Sequence, residues 1–334
     1  MSDFFKRASL LAVFLLILSS LLVAEIRDER ASSNGADGSY ELTIYVIPSY
    51  RTIDWTSPAT LIKSTVNSFM EASFNKNRYP IGHLFIELRN PADETIIRTS
   101  IASRRPSEQR EMVLKDKIGL GMLGAPVEAR MESKEELADK IDKFARKGKI
   151  AFISYSILPE AADRVIKYVE KFTSRDSLGK SPSDRYGGSF WPLFHNEGAG
   201  CSAFGMAALE LTGVNIDNPE WYIRVNVPYD LVGGKYNNMT KVKPMDVLKR
   251  KEWHDGSGEK WRDYYTHFIY DPSYIYSWIL KQLSATELPD GLERCAKKAP
   301  NGKIITGLSS DATGIKTPDG PIFKKRESPS VFIL

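Results

Sequence analysis

Cys201 stands between a Gly-Ala-Gly turn and an Ala-rich run in HNEGAGCSAFGMAALELTGV (His195 to Val214), and it is one of only two cysteines in the 334-residue chain. The run after it has helix-forming composition, places Phe204, Ala208 and Leu211 at i, i+4 and i+7, and stops at Gly213. Cys201 is therefore expected at a helix N-terminus, where free amides and the positive end of the dipole favour thiolate over thiol. The same amides can hold an oxyanion when a thiolate attacks a carbonyl. The competing reading is a disulfide between Cys201 and Cys295 in an exported, non-catalytic binding or structural protein.

A thiolate nucleophile needs a proton acceptor, and four histidines are available. His83 opens the predicted strand GHLFIEL, a place that can hold an imidazole rigidly at the edge of a cleft; a half-buried histidine on a sheet face is the plainer alternative. His195 lies in a loop, and His254 and His267 are expected on the surface. A zinc site built on His195, Cys201 and another histidine lacks any short paired-ligand spacing. GLSSDATG (307–314) lacks the spacing of a serine-hydrolase elbow.

The elements that must position these residues can be read along the chain. YELTIYVIPS (40–49) is a predicted strand, and SPATLIKSTVNSFMEASF (57–74) a helix with Leu61, Val66 and Phe69 on its inner face. Residues 81–102 read as a hairpin about the turn NPAD. GLGMLGAP (119–126) is expected to be a flexible connection without the lysine of a phosphate loop. Ser133 and Glu136 form a capping-box start to a helix that stops at Gly148. A strand (149–157) follows, then an amphipathic helix (158–174) with Ile166, Val169 and Phe172 inward. The aromatic loop 181–200 leads to Cys201 and serves either as a cleft wall or as a cover over the core.

Composition narrows the classes. Hydrophobic content of 42% and charged content of 26% are those of a globular chain, and a net charge of +4 without a basic run argues against nucleic acid as partner. Lys6 and Arg7 precede an apolar stretch ending at Ala24, which reads as an export signal, with an uncleaved membrane anchor as the alternative. The expected organisation is a signal or anchor (1–24), a linker (25–39), a main domain (40–214), a C-terminal extension packed on it (215–288) and a mostly irregular tail (289–334).

A histidine on a hairpin strand, then helices and a strand, then a cysteine opening a helix is an order that resembles the circularly permuted papain-like enzymes. These include bacterial relatives of the NlpC-type cell-wall peptidases and the lecithin retinol acyltransferase group. The matching stretches are GHLFIEL, ISYSILPEAADRVIKYVEKF and HNEGAGCSAFGMAALELTG, within roughly residues 40–214. The resemblance implies an α+β permuted papain-like domain, an antiparallel sheet packed on helices, with a C-terminal extension. It makes Cys201 the nucleophile and His83 the general base, with no metal or organic cofactor. These families place a polar orienting residue on the strand after the histidine; pairing the hairpin about NPAD puts Ser100 opposite His83, Thr99 on the other face and Glu87 further along. The expected activity is an exported, periplasmic or secreted thiol hydrolase or acyltransferase acting on an amide, ester or thioester. Its substrate would be a cell-wall peptide or a lipid-like acyl compound, with membrane association through the N-terminal segment as a further possibility.

Overall fold

β1 (Tyr40–Ile47) and β2 (His83–Arg89) are buried along almost their whole length, because both faces of their sheet are covered. Leu42, Ile44, Val46, Leu84, Ile86 and Leu88 face one hydrophobic cluster, while Tyr45, Ile47 and Phe85 face another. That alternation is the two-residue period of a strand expressed in two cores. Six further strands join them: β3 (Thr95–Ser103), β4 (Val127–Glu132), β5 (Ala151–Ile157), β6 (Arg185–Tyr186), β9 (Glu293–Lys298) and β10 (Ile304–Asp311). The order is β6-β4-β3-β2-β1-β5-β10-β9, antiparallel throughout except for the parallel β5–β10 pair.

On the first face lie α4 (Pro159–Thr173), α5 (Cys201–Glu210) and α7 (Pro272–Ser284), contributing Val165, Tyr168, Phe172, Phe204, Ala208, Ile275 and Ile279. On the second lies α3 (Lys134–Arg146), with Leu137, Ile141 and Phe144 inward and the expected Ser133–Glu136 capping box in place. The protein is thus α+β, a large sheet packed with helices. A third cluster joins α1 (Pro58–Phe74), α6 (Pro244–Lys249) and a two-stranded sheet of β7 (Tyr222–Pro228) and β8 (Tyr264–Tyr270). α2 (Pro106–Leu114) follows β3.

This computed structural model describes residues 38–74, 79–327 and 330–333, and residues 40–334 form one compact unit. The expected signal or anchor (1–24) and most of the linker (25–39) lie outside the described residues. Among the described residues no helix is long and apolar enough to cross a membrane. Several expectations are corrected. The tail 289–334, expected to be mostly irregular, contains β9 and β10, which extend the main sheet, and is irregular in the rest of its described residues. GLGMLGAP holds a buried 3-10 turn (Leu120–Leu123), with Gly119 at φ 53 tight against Val242 and the Leu231 carbonyl. In α1 Leu61 is buried as expected, but Val66 is 49% and Phe69 37% exposed, and Ser68 and Ala72 face inward in their place. No disulfide joins Cys201 to Cys295: Cys295 sits on β9, four strands from β2, about 19 Å at the usual strand spacing.

The cysteine helix owes its depth to a glycine. A Cβ on Gly205 would lie 2.1 Å from Leu84 Cδ2 and 3.3 Å from Ile86 Cγ2, so α5 rests directly on β2 only because residue 205 has no side chain. Gly205→Val is expected to lower unfolding stability by about 1–3 kcal/mol, the usual cost of overpacking, in urea titration monitored by circular dichroism. An unchanged midpoint would show that the helix has room there.

Candidate active site

The Gly-Ala-Gly turn does something other than reverse the chain. Gly200 caps α5 with an ordinary extended backbone (φ −82, ψ 162), and the glycines serve close approach. A Cβ on Gly198 would stand 2.0 Å from the Arg185 carbonyl, and one on Gly200 3.2 Å from the Gly187 carbonyl. The turn runs alongside residues 185–187, with Ala199 N donating to Arg185 O at 3.1 Å and Gly187 N to Ala199 O at 3.4 Å. Glu197 anchors the approach by accepting from Arg326 (2.5 and 2.7 Å) and from the Trp191 amide (3.1 Å). This docking brings Tyr186 to Cys201, its hydroxyl donating to Sγ at 3.7 Å.

His83 is held from the sheet side. Gly82 before it takes φ +83, and a Cβ there would press on the Ile47 carbonyl and the Ser49 amide at 3.1 Å, so the strand entrance requires glycine. Tyr79 stacks on the imidazole at 4.5 Å and 8°. Nε2 lies 2.5 Å from Glu132 Oε2, which leaves Nδ1 to face the thiol. The imidazole and the thiol lie close enough for each to shift the other's protonation, and the Leu84 amide also acts on the sulfur. Glu132 is held in turn by Lys140 and by the Tyr79 hydroxyl at 3.4 Å. With His83 and Glu132 both 3% exposed and Cys201 5%, the array is buried.

The side chain that holds the imidazole is Glu132 on β4, and Ser100 does not lie opposite His83 as expected. Ile86 pairs with Thr99, and a bulge at Leu88/Arg89 shifts the register, so continuing the pairing sets Ala102 level with His83. Ser100 pairs with Glu132 on the next strand and spends its hydroxyl on the Leu84 carbonyl at 2.6 Å. Glu132 thus contacts His83 across the intervening strand β3. Glu87, considered for the same role, is buried in an ion cluster with Arg89 and Arg98. Thr99 donates to the Glu132 carbonyl. His195 sits by Phe323 and His254 by Tyr264; His267, expected on the surface, is 1% exposed. Among the described residues no three His, Cys, Asp or Glu side chains gather into a metal site.

Electrostatics favour an ion pair. Burial pushes the Cys201 thiol up, but the facing imidazolium, its hydrogen bond, the Leu84 amide and the Tyr186 hydroxyl together bring it below the ordinary thiol value. Burial pulls His83 down, yet Cys201 and Glu132 raise it to about 9. Glu132, despite burial, is lowered to about 2 by His83 and Lys140. Glu132, Tyr186, Tyr79 and Lys140 escaped the sequence reading; only Tyr186 left a trace, as the tyrosine of a loop already singled out. Family models, curated proteins and solved structures give no match to this chain.

Two outcomes follow from these shifts. Iodoacetamide should label Cys201 faster than an ordinary thiol below about pH 8.5, because its pKa is lowered and its imidazolium partner persists to about pH 9; His83→Ala should slow that labelling at least about tenfold. Glu132 is depressed on folding, so its contribution is full above the unfolded value of about 4.3 and is lost as pH falls towards 2. The stability gap between wild type and Glu132→Gln, about 3 kcal/mol at neutral pH, should close on acidification in urea titrations. A pH-independent gap would remove the charged Glu132 from this account.

Proposed function

We propose that the protein is a thiol hydrolase or acyltransferase of the permuted papain-like type, using Cys201 as nucleophile, His83 as base and Glu132 as the residue that orients and charges the base. The observation that carries this reading is the buried Glu132–His83–Cys201 array at the junction of two cavities. One, of about 430 Å³, has apolar walls from Ile53, Trp55, Leu61, Phe190, Trp191 and Phe268, and reaches Cys201. The other, of about 650 Å³, reaches His83 and Glu132 and is walled by Arg130, Glu136, Asp139, Lys140 and Lys143. Phe69, Ile81, Gly82, Gln109 and Tyr186 border both.

The chemistry divides between the two sides. Thiolate attack on a carbonyl carbon forms the C–S bond and moves the π pair to oxygen, where the Cys201 amide and the Tyr186 hydroxyl stabilise it. Tyr186 turns its proton from sulfur to the developing oxyanion as the sulfur loses its charge. Collapse breaks the bond to the leaving group, which takes the proton from the His83 imidazolium and departs on the charged side. The acyl group stays on the apolar side as a thioester. Water, an alcohol or an amine then gives its proton to His83 and resolves it. The apolar cleft favours a lipid-like acyl donor over a cell-wall peptide, and the N-terminal segment Lys6–Ala24 supports an exported setting.

With p-nitrophenyl esters of medium-chain acids, Cys201→Ala and His83→Ala should each lower kcat/KM at least about 1,000-fold while circular dichroism stays unchanged. Tyr186→Phe should lower kcat about 10- to 100-fold with little change in KM. Trapping of an acyl-Cys201 adduct by mass spectrometry in wild type supports the cycle. Full turnover in Cys201→Ala would end it.

A further inference from the structure

The wall of the apolar cleft holds a buried histidine for which the mechanism has no use. His267 on β8 lines the cavity, is 1% exposed, and its Nε2 has no hydrogen-bond partner among the described residues. Its Nδ1 lies 3.4 Å from Ser189 Oγ. The ring is clamped: Trp55 stacks on it at 5.9 Å and 20°, Tyr265 meets it edge-on, and a Cβ on Gly188 would come within 3.2 Å of Cε1. A fixed, dry imidazole with an idle nitrogen is costly to keep, and phenylalanine would fill the same space without that cost.

The charged groups on this wall are already committed. Asp271 caps α7, accepting from the Ser273 amide at 2.7 Å and from Trp55 Nε1 at 3.3 Å. Arg326 is bound to Glu197. The imidazole itself is neutral at neutral pH, since burial lowers His267 to about 4. A neutral imidazole suits a neutral partner, as donor or acceptor according to its tautomer.

Resting on the reading of this cleft as the acyl side of the site, we infer that His267 is a specificity-determining residue whose Nε2 hydrogen-bonds a neutral polar substituent on the substrate's acyl group. The substrate class is then an acyl compound carrying a hydroxyl, ketone or amide along its chain, rather than a plain alkyl chain. The surrounding aromatic wall supplies affinity, and His267 selects where along the chain the polar group stands.

The test is binding, which does not depend on turnover. Cys201→Ala protein is titrated, by tryptophan fluorescence, with N-methyl amides of a medium-chain fatty acid and of its hydroxylated isomers, the hydroxyl moved one carbon at a time. One isomer should bind about tenfold or more tightly than the plain chain. The preference should collapse to within about twofold in Cys201→Ala/His267→Phe and return in part in Cys201→Ala/His267→Gln. His267→Leu gives the same reading should phenylalanine not be accommodated. Equal binding of all isomers, or a preference that survives loss of the imidazole, overturns the inference. A preference seen in a protein whose wild type turns over no ester would leave His267 in place and remove the thiol hydrolase, so the two failures are distinguishable.

Discussion

The structure depends on holding a thiol, an imidazole and a carboxylate together in a buried array whose mutual interactions favour their ionised forms. Each ion alone would be expelled or neutralised by burial, so none of the three is stable in its place without the other two. Lys140 offsets the remaining negative charge from α3, and Tyr79 shields one face of the imidazole. Removing any one member leaves an uncompensated buried charge, which is why the array acts as a unit in both stability and reactivity.

Much of the fold is arranged to make that meeting possible. His83 belongs to the sheet and Cys201 to a helix lying on it, so the two meet only where the strand begins and the helix begins. The absent side chain of Gly205 sets the helix depth, Gly198 and Gly200 dock its approach against residues 185–187, and Gly82 lets the strand enter at a positive φ. The paired register of β2 and β3 runs to Ile86–Thr99; beyond it the Leu84 carbonyl takes a side-chain hydroxyl from Ser100 and the Leu84 amide serves the sulfur. The third cluster, from α1, β7, β8 and the 3-10 turn at Leu120, walls the apolar cavity on the Cys201 side.

Cys201 and His83 were legible in the sequence because each carries a local signature: glycines before a helix-forming run, and a glycine before a strand. Their contact follows from the observed packing of α5 on β2. Glu132 was not legible, because its partner lies two strands away and the β2–β3 register is displaced twice, once by the turn closed at Asn90–Glu94 and once by the bulge at Leu88/Arg89; a hairpin symmetric about NPAD points to Ser100 instead. β9 was read as irregular because an edge strand rich in Glu, Arg and Lys, with only Cys295 buried, lacks an apolar alternation. His267 was placed outside for want of the aromatic residues, Trp55 and Tyr265, that enclose it from distant segments. Val66 and Phe69 show the converse, apolar residues with helical spacing that the fold leaves exposed.

The most direct test of the central claim is the far-ultraviolet absorbance of the thiolate, followed against pH in wild type and in Cys201→Ala. The expected result is a difference spectrum of one thiolate that is already present below the ordinary thiol value of about pH 8.5 and disappears on further acidification. A difference that appears only above that value would show a protonated, merely buried cysteine and contradict the ion pair on which the functional reading stands.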